Sequence, residues 1–189
     1  MRACLDRPRS IDQGPDHVGF RYPPLTPHCP RPCSKNEKTG CERARCQALG
    51  RARVDASALV KLFVPEPESD DLNEALVGLT DVIVSDLALT EMASALGRRT
   101  REQRLARAKA QRLYREASKL HAASHRAELT PPIHRRAEQL MLTLAMPLRA
   151  LDALHLATAL DAKAATVVTF DPRLRDAASS QGLFVAPNT

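Results

Sequence analysis

The stretch Arg149-Ala150-Leu151-Asp152-Ala153-Leu154-His155-Leu156-Ala157-Thr158-Ala159-Leu160 constrains the fold more than any other. It reads as a helix that is apolar nearly all round, a pattern that belongs in a core rather than on a surface. Asp152 falls in its first turn. A lone buried carboxylate is unfavourable unless something neutralises it. The free N–H groups and dipole of the helix N-terminus favour negative charge, and a bound cation would favour it far more. Three other acids stand at related places. Asp55 follows the end of a predicted strand, Glu91 lies in an apolar helical stretch, and Asp171 directly follows the predicted strand Thr166-Val167-Val168-Thr169-Phe170.

Charge and cysteine divide the chain unevenly. Residues 1–53 hold 11 Lys and Arg against 5 Asp and Glu, whereas residues 54–189 hold 17 of each. The net charge of +6 therefore belongs to the front, and it does not make the body a nucleic-acid binder. All five cysteines (Cys4, Cys29, Cys33, Cys41 and Cys46) lie in the front, so the body needs no disulfide and suits a reducing compartment. With no apolar run near ~18 residues and no apolar region after Arg2, a cytoplasmic location without membrane contact is expected. Residues 1–50 contain seven of the 14 prolines and no sustained periodicity, and are read as a disordered extension. A zinc site from His28, Cys29, Cys33, Cys41 and Cys46 is the sharper alternative; its Cys-x3-Cys and Cys-x4-Cys spacings are loose. A start site placed too far upstream is a third explanation, and the segment is expected to be dispensable.

The body, residues 51–189, reads as strands alternating with helices. Val54 ends a short strand, and Ser57 caps a helix through Phe63. Ser69 caps a second helix reaching about Leu79. Residues 81–85 form a second strand, and a helix follows from Leu87 to Arg98. One long helix is predicted from Arg101 to about Ser124. Between Arg98 and Lys119 there are nine basic residues and two acidic ones. Arg98, Arg99, Arg101, Arg104 and Arg107 are read either as a solvated face or as an arm that tracks phosphates. A short strand at 128–130, a helix from Ile133 to Ala145 opened by Pro131-Pro132, the Asp152 helix, a helix from Pro172 to about Ser180 and a final strand at 183–185 complete the pattern. Such alternation argues for an α/β fold with a mainly parallel sheet, in which ligands gather beyond the carboxyl ends of the strands.

Converging carboxylates need protons or a metal, and hard oxygen ligands select Mg2+ or Mn2+. Water on such a metal can attack a phosphodiester whose charge the metal also neutralises. At Val54-Asp55-Ala56-Ser57-Ala58-Leu59-Val60-Lys61, Leu89-Thr90-Glu91-Met92-Ala93-Ser94-Ala95-Leu96, Leu151-Asp152-Ala153-Leu154-His155-Leu156-Ala157 and Val168-Thr169-Phe170-Asp171 the chain resembles PIN domains, and within them the VapC-type toxins of bacterial toxin–antitoxin pairs. The resemblance covers about residues 53–187. It implies a three-layer α/β/α fold and a Mg2+-dependent endoribonuclease that acts as a homodimer and is inhibited by a small cognate antitoxin. It also implies that Asp55, Glu91, Asp152 and Asp171 form the acidic, metal-holding constellation, with Ser57 and Thr169 as supporting hydroxyls.

Each acid also has an ordinary reading. Asp55 is a strand-end turn residue, Asp171 an N-cap ahead of Pro172, and Glu91 a solvent-facing side chain; His155 is a core or interface histidine rather than a ligand. Two other functions compete with the toxin: a PIN nuclease of RNA maturation without an antitoxin, and a non-catalytic module that binds nucleic acid through the basic helix. Ser57 stands where an aspartate-nucleophile phosphotransferase wants a second aspartate, and no glycine-rich phosphate loop is present.

Overall fold

The structure, a computed structural model, describes residues 50–188 apart from 78 and 80. The front-segment readings, zinc included, lie outside the described residues. Among the described residues, five strands form one sheet: β1 (Arg51–Val54), β2 (Asp81–Ser85), β3 (His125–Ala127), β4 (Thr166–Val168) and β5 (Phe184–Ala186). Their order is β3-β2-β1-β4-β5 and every pairing is parallel. The helices of the described residues connect them: α1 (Ala56–Phe63), α2 (Ser69–Leu76), α3 (Asp86–Arg101), α4 (Arg107–Ala123), α5 (Pro131–Thr143), α6 (Ala150–Asp161) and α7 (Pro172–Ser180).

The strand period of two sorts the sheet residues into two cores. Ala52, Val54, Val84 and Val168 face one layer, where they pack with Leu59, Met92, Leu96 and Ala117 of α1, α3 and α4. Ile83 and Val167 face the other, against Ile133, Leu140, Leu156 and Leu174 of α5, α6 and α7. The result is the three-layer α/β/α arrangement with a parallel sheet. The near-wholly apolar α6 is accordingly buried along most of its length, including Asp152, His155 and Thr158.

Several local expectations shift. Asp55, not Ser57, is the N-cap of α1, accepting from the Ala58 N–H. The single basic helix is two helices, broken between Arg101 and Arg107, where Gln103 takes a positive φ of 58°. No proline or glycine marks that break in the sequence. The third strand is 125–127 rather than 128–130, and β4 stops at Val168, so Thr169, Phe170 and Asp171 are a connection rather than strand.

The chain departs from β1 toward β2 and β3 on one side and returns on the other with β4 and β5. The gap between the carboxyl ends of β1 and β4 is therefore the switch point of the sheet, where open α/β folds form a crevice. Asp55 and Thr169 are the residues that immediately follow these two strands.

Candidate active site at the strand ends

Asp55 is nearly inaccessible, yet its carboxylate is well supplied with donors. The Ala58 N–H lies 2.9 Å from Oδ1, and Ser57 Oγ lies 2.8 Å and 3.0 Å from the two oxygens. Thr169 Oγ1 donates to Oδ2 at 2.7 Å. These hydroxyls are themselves fixed by the backbone, Ser57 by the Phe170 N–H at 2.8 Å and Thr169 by the Asp171 N–H at 3.0 Å. The ends of β1 and β4 are thus stitched together through Asp55. Burial pushes its carboxyl up, a shift opposed by the Ala58, Thr169 and Ser57 donors.

Asp152 is buried in the first turn of α6, and among the described residues its Oδ2 has no hydrogen-bond partner. Its carboxyl is also raised, first by burial and then by the charge of Asp171, with Arg149 opposing. Asp171 is the N-cap of α7: its Oδ1 accepts from the Arg173 N–H at 2.8 Å and the Leu174 N–H at 3.4 Å. The cap reading of this residue is therefore met, and it leaves Asp171 close enough to perturb Asp152. Glu91, in the middle of α3, does not simply face solvent. Its Oε2 lies 2.6 Å from His155 Nε2. Hydrogen bonds link Glu91 to His155, and Asp55 and the Asp171 N–H to Thr169, while Asp152 lies close enough to Asp171 to feel its charge. Among the described residues, no three carboxylate, imidazole or thiolate groups are arranged to hold a metal ion as they stand.

Two further side chains complete the surroundings, and neither was singled out from the sequence. Arg53, on the middle strand, is fully buried beneath the acids and reaches His155 Nδ1 at 2.6 Å. Lys61 of α1 pairs with Glu66 at 2.7 Å and Glu68 at 2.8 Å, and stands 4.8 Å over the Phe170 ring. A cleft of about 240 Å3 opens beside Glu91 and Ser57, lined also by Lys61, Glu66, Arg98 and Arg99. The basic residues proposed for RNA are thereby divided. Arg98 and Arg99, in the last turn of α3, line the cleft, and Arg99 is hydrogen-bonded to Glu66. Exposed Arg101, Arg104 and Arg107 are outside its lining, and Arg104 approaches Glu102 at 3.6 Å.

The donor set suits a hard divalent cation. It is built of carboxylate oxygens; an unpartnered buried oxygen on Asp152 and the mutual repulsion of Asp152 and Asp171 are what a cation would relieve. Among the described residues, no helix is long and apolar enough to cross a membrane.

Residues 53–179 match the model of the PIN domain. Among curated proteins, the chain is 35% identical over 139 residues to ribonuclease VapC46 of Mycobacterium tuberculosis, covering 70% of this chain and 93% of that protein. Among solved structures it resembles VapC20 of Mycobacterium tuberculosis, a toxin that cleaves the sarcin–ricin loop. The TM-score is 0.56 at 17% identity, over 70% of this chain and 95% of that one. It also resembles a chain of VapBC2 from Rickettsia felis, solved on a DNA fragment from its promoter. There the TM-score is 0.51 at 13% identity, over 71% and 96% of the two chains.

Proposed function

Because the chain belongs to the PIN-domain family, and within it to the VapC-type ribonucleases, we propose that it is a Mg2+- or Mn2+-dependent endoribonuclease acting as the toxin of a toxin–antitoxin pair. The observation that carries the metal-dependent part is the unpartnered Oδ2 of buried Asp152, set beside Asp171 at the switch point of the sheet.

Asp55, Asp152 and Asp171 would hold the cation, with Glu91 at the margin of the group. When bound, the cation supplies an activated water and neutralises charge on the scissile phosphate. The chain's own residues do the rest. Ser57 and Thr169 lock the Asp55 carboxylate in one orientation, so little reorganisation is needed when substrate arrives. Arg98 and Arg99 place positive charge along the cleft next to Glu91, where a phosphate neighbouring the cut would lie. Such contacts hold the backbone of RNA without reading its bases.

VapBC2 pairs its VapC with a second protein, which supports a small antitoxin as the inhibitory partner here. The cleft over Glu91 is the surface such a partner would cover, and a homodimer is the proposed assembly. The test is cleavage of purified total RNA by the full chain with Mg2+, with Mn2+ and with EDTA, using Asp55→Asn as control. Cutting that survives EDTA, or that Asp55→Asn retains, would refute the reading.

A further inference from the structure

Arg53 has 0% exposure on the central strand, and its register partners are Ile83 on β2 and Val167 on β4, both apolar and buried. A strand covered on both faces is ordinarily apolar throughout, so a guanidinium here needs specific partners. Burial lowers its pKa to about 10, with Asp55 and Glu91 opposing, so it remains a cation at neutral pH. Nη2 donates to Ser85 Oγ at 2.6 Å and to His155 Nδ1 at 2.6 Å, and Nη1 donates to the Val54 carbonyl.

The polarity of the next link follows from chemistry. A guanidinium has only donors, so His155 Nδ1 must accept. The ring proton is then on Nε2, which donates to Glu91 Oε2 at 2.6 Å. The chain of bonds runs one way, from Arg53 through His155 to Glu91. It commits one oxygen of Glu91, and among the described residues no hydrogen bond engages the other. The side chain of His155 is 4% exposed and that of Glu91 26%, so the relay leads from the core to the edge of the cleft.

We infer that Arg53 is a positioning residue for the acidic site: through His155 it holds the Glu91 carboxylate in one orientation, with Oε2 occupied and Oε1 left for a divalent cation or its water. This rests on the metal-dependent reading above. Partners of this kind fix the orientation of a ligand, and their loss typically weakens metal binding about 10–100-fold. A purely structural arginine would affect melting and leave metal affinity alone.

The test uses Mn2+ titrated calorimetrically into the metal-free full chain. His155→Leu breaks the relay without changing charge, and roughly tenfold weaker Mn2+ binding is expected. His155→Gln can accept from Arg53 and donate to Glu91, and should bind within about threefold of the original chain. Equal affinities for the two variants would overturn the inference. Nitrogen-15 spectra of the unsubstituted, metal-free protein give a check that needs no variant: the His155 proton should be on Nε2, and a ring protonated on Nδ1 would overturn it. Asp152→Asn separates the two claims. If the unsubstituted chain binds Mn2+ no better than Asp152→Asn, the metal reading and this inference fall together. If it does bind better, and His155→Leu matches it, the inference alone fails.

Discussion

The Lys61 ion cluster lines the cleft and the acidic group reaches it only through Glu91 and Ser57, and the two are built on opposite principles. Around Lys61 every charge has an answer: Glu66 and Glu68 flank the ammonium, Arg99 holds the other oxygen of Glu66, and the Phe170 ring lies beneath. Burial pulls Lys61 down, but its two carboxylates overrule this and its pKa ends raised. Burial likewise raises Glu66, yet Lys61 and Arg99 bring it below its ordinary value. A few residues away, Asp55 and Asp152 are both raised, because their burial is not fully answered. The first group is finished by the chain itself. The second keeps negative charge that an outside cation would complete, and this difference is what separates a structural ion cluster from a reactive one.

The largest effect should appear in catalysis. Asp55→Asn and Asp152→Asn are expected to lower RNA cleavage by about a thousandfold or more, the scale of losing charge stabilisation worth several kcal/mol. Glu66→Gln, in the finished cluster, should lower it by less than about tenfold. Initial rates at saturating Mg2+ measure both. A Glu66→Gln defect as deep as that of Asp152→Asn would place the Lys61 cluster inside the reaction.

Stability should move in the opposite direction. Glu66→Gln removes an acceptor shared by two cations whose side chains are 13% and 17% exposed, so it should destabilise by about 1–2 kcal/mol. Asp152→Asn should raise the melting temperature of the metal-free protein, by roughly 2–4 °C for each 1 kcal/mol of relieved repulsion. Mg2+ should then lift the unsubstituted chain and leave Asp152→Asn unmoved, because only the former has the full set of oxygens. Differential scanning calorimetry with and without Mg2+ reads both shifts. A fall in melting temperature for metal-free Asp152→Asn would show that this carboxylate has a structural partner.

Much of this arrangement was legible in the sequence, for physical reasons. An all-round apolar helix carrying one carboxylate can be placed only in a core, and α6 is there. Strand–helix alternation gave the parallel sheet and with it the edge where Asp55 and Thr169 meet. What stayed hidden depends on tertiary contact. In the sequence Arg53 counts only as one of the 11 basic residues of 1–53, but the register of β1 places it beneath His155. His155 at three residues from Asp152 shows a shared face; that its ring joins Glu91 to Arg53 required the packing of α3 and β1 against α6. The turn between α3 and α4 carries none of the residues that usually announce one, so two basic helices read as a single helix. Ser57 and Asp55 are both good caps, and only the backbone decides that Asp55 serves α1 while Ser57 supports its carboxylate.

The smallest effect is the opposite way in which acid erases the two differences. Asp152 has a raised pKa in the fold, so the folded chain binds more protons than the unfolded one between that value and the ordinary 3.8. Stability of the metal-free protein therefore improves as pH falls through the raised value. Asn cannot titrate, so the advantage of Asp152→Asn should begin to shrink there and be gone at about 3.8. Glu66 has the opposite sign: its pKa is lowered from 4.5, so the stability it contributes is complete above 4.5 and is lost as pH falls through the folded value. The deficit of Glu66→Gln should accordingly hold until about pH 4.5 and close only below it. Melting curves of the three metal-free proteins from pH 7 to 3.5 should show both differences narrowing with acid, the Asp152 one because the unsubstituted chain gains stability and the Glu66 one because it loses it. If the unsubstituted chain instead loses ground to Asp152→Asn as pH falls, the acidic edge is no less satisfied than the Lys61 cluster and the contrast between them fails.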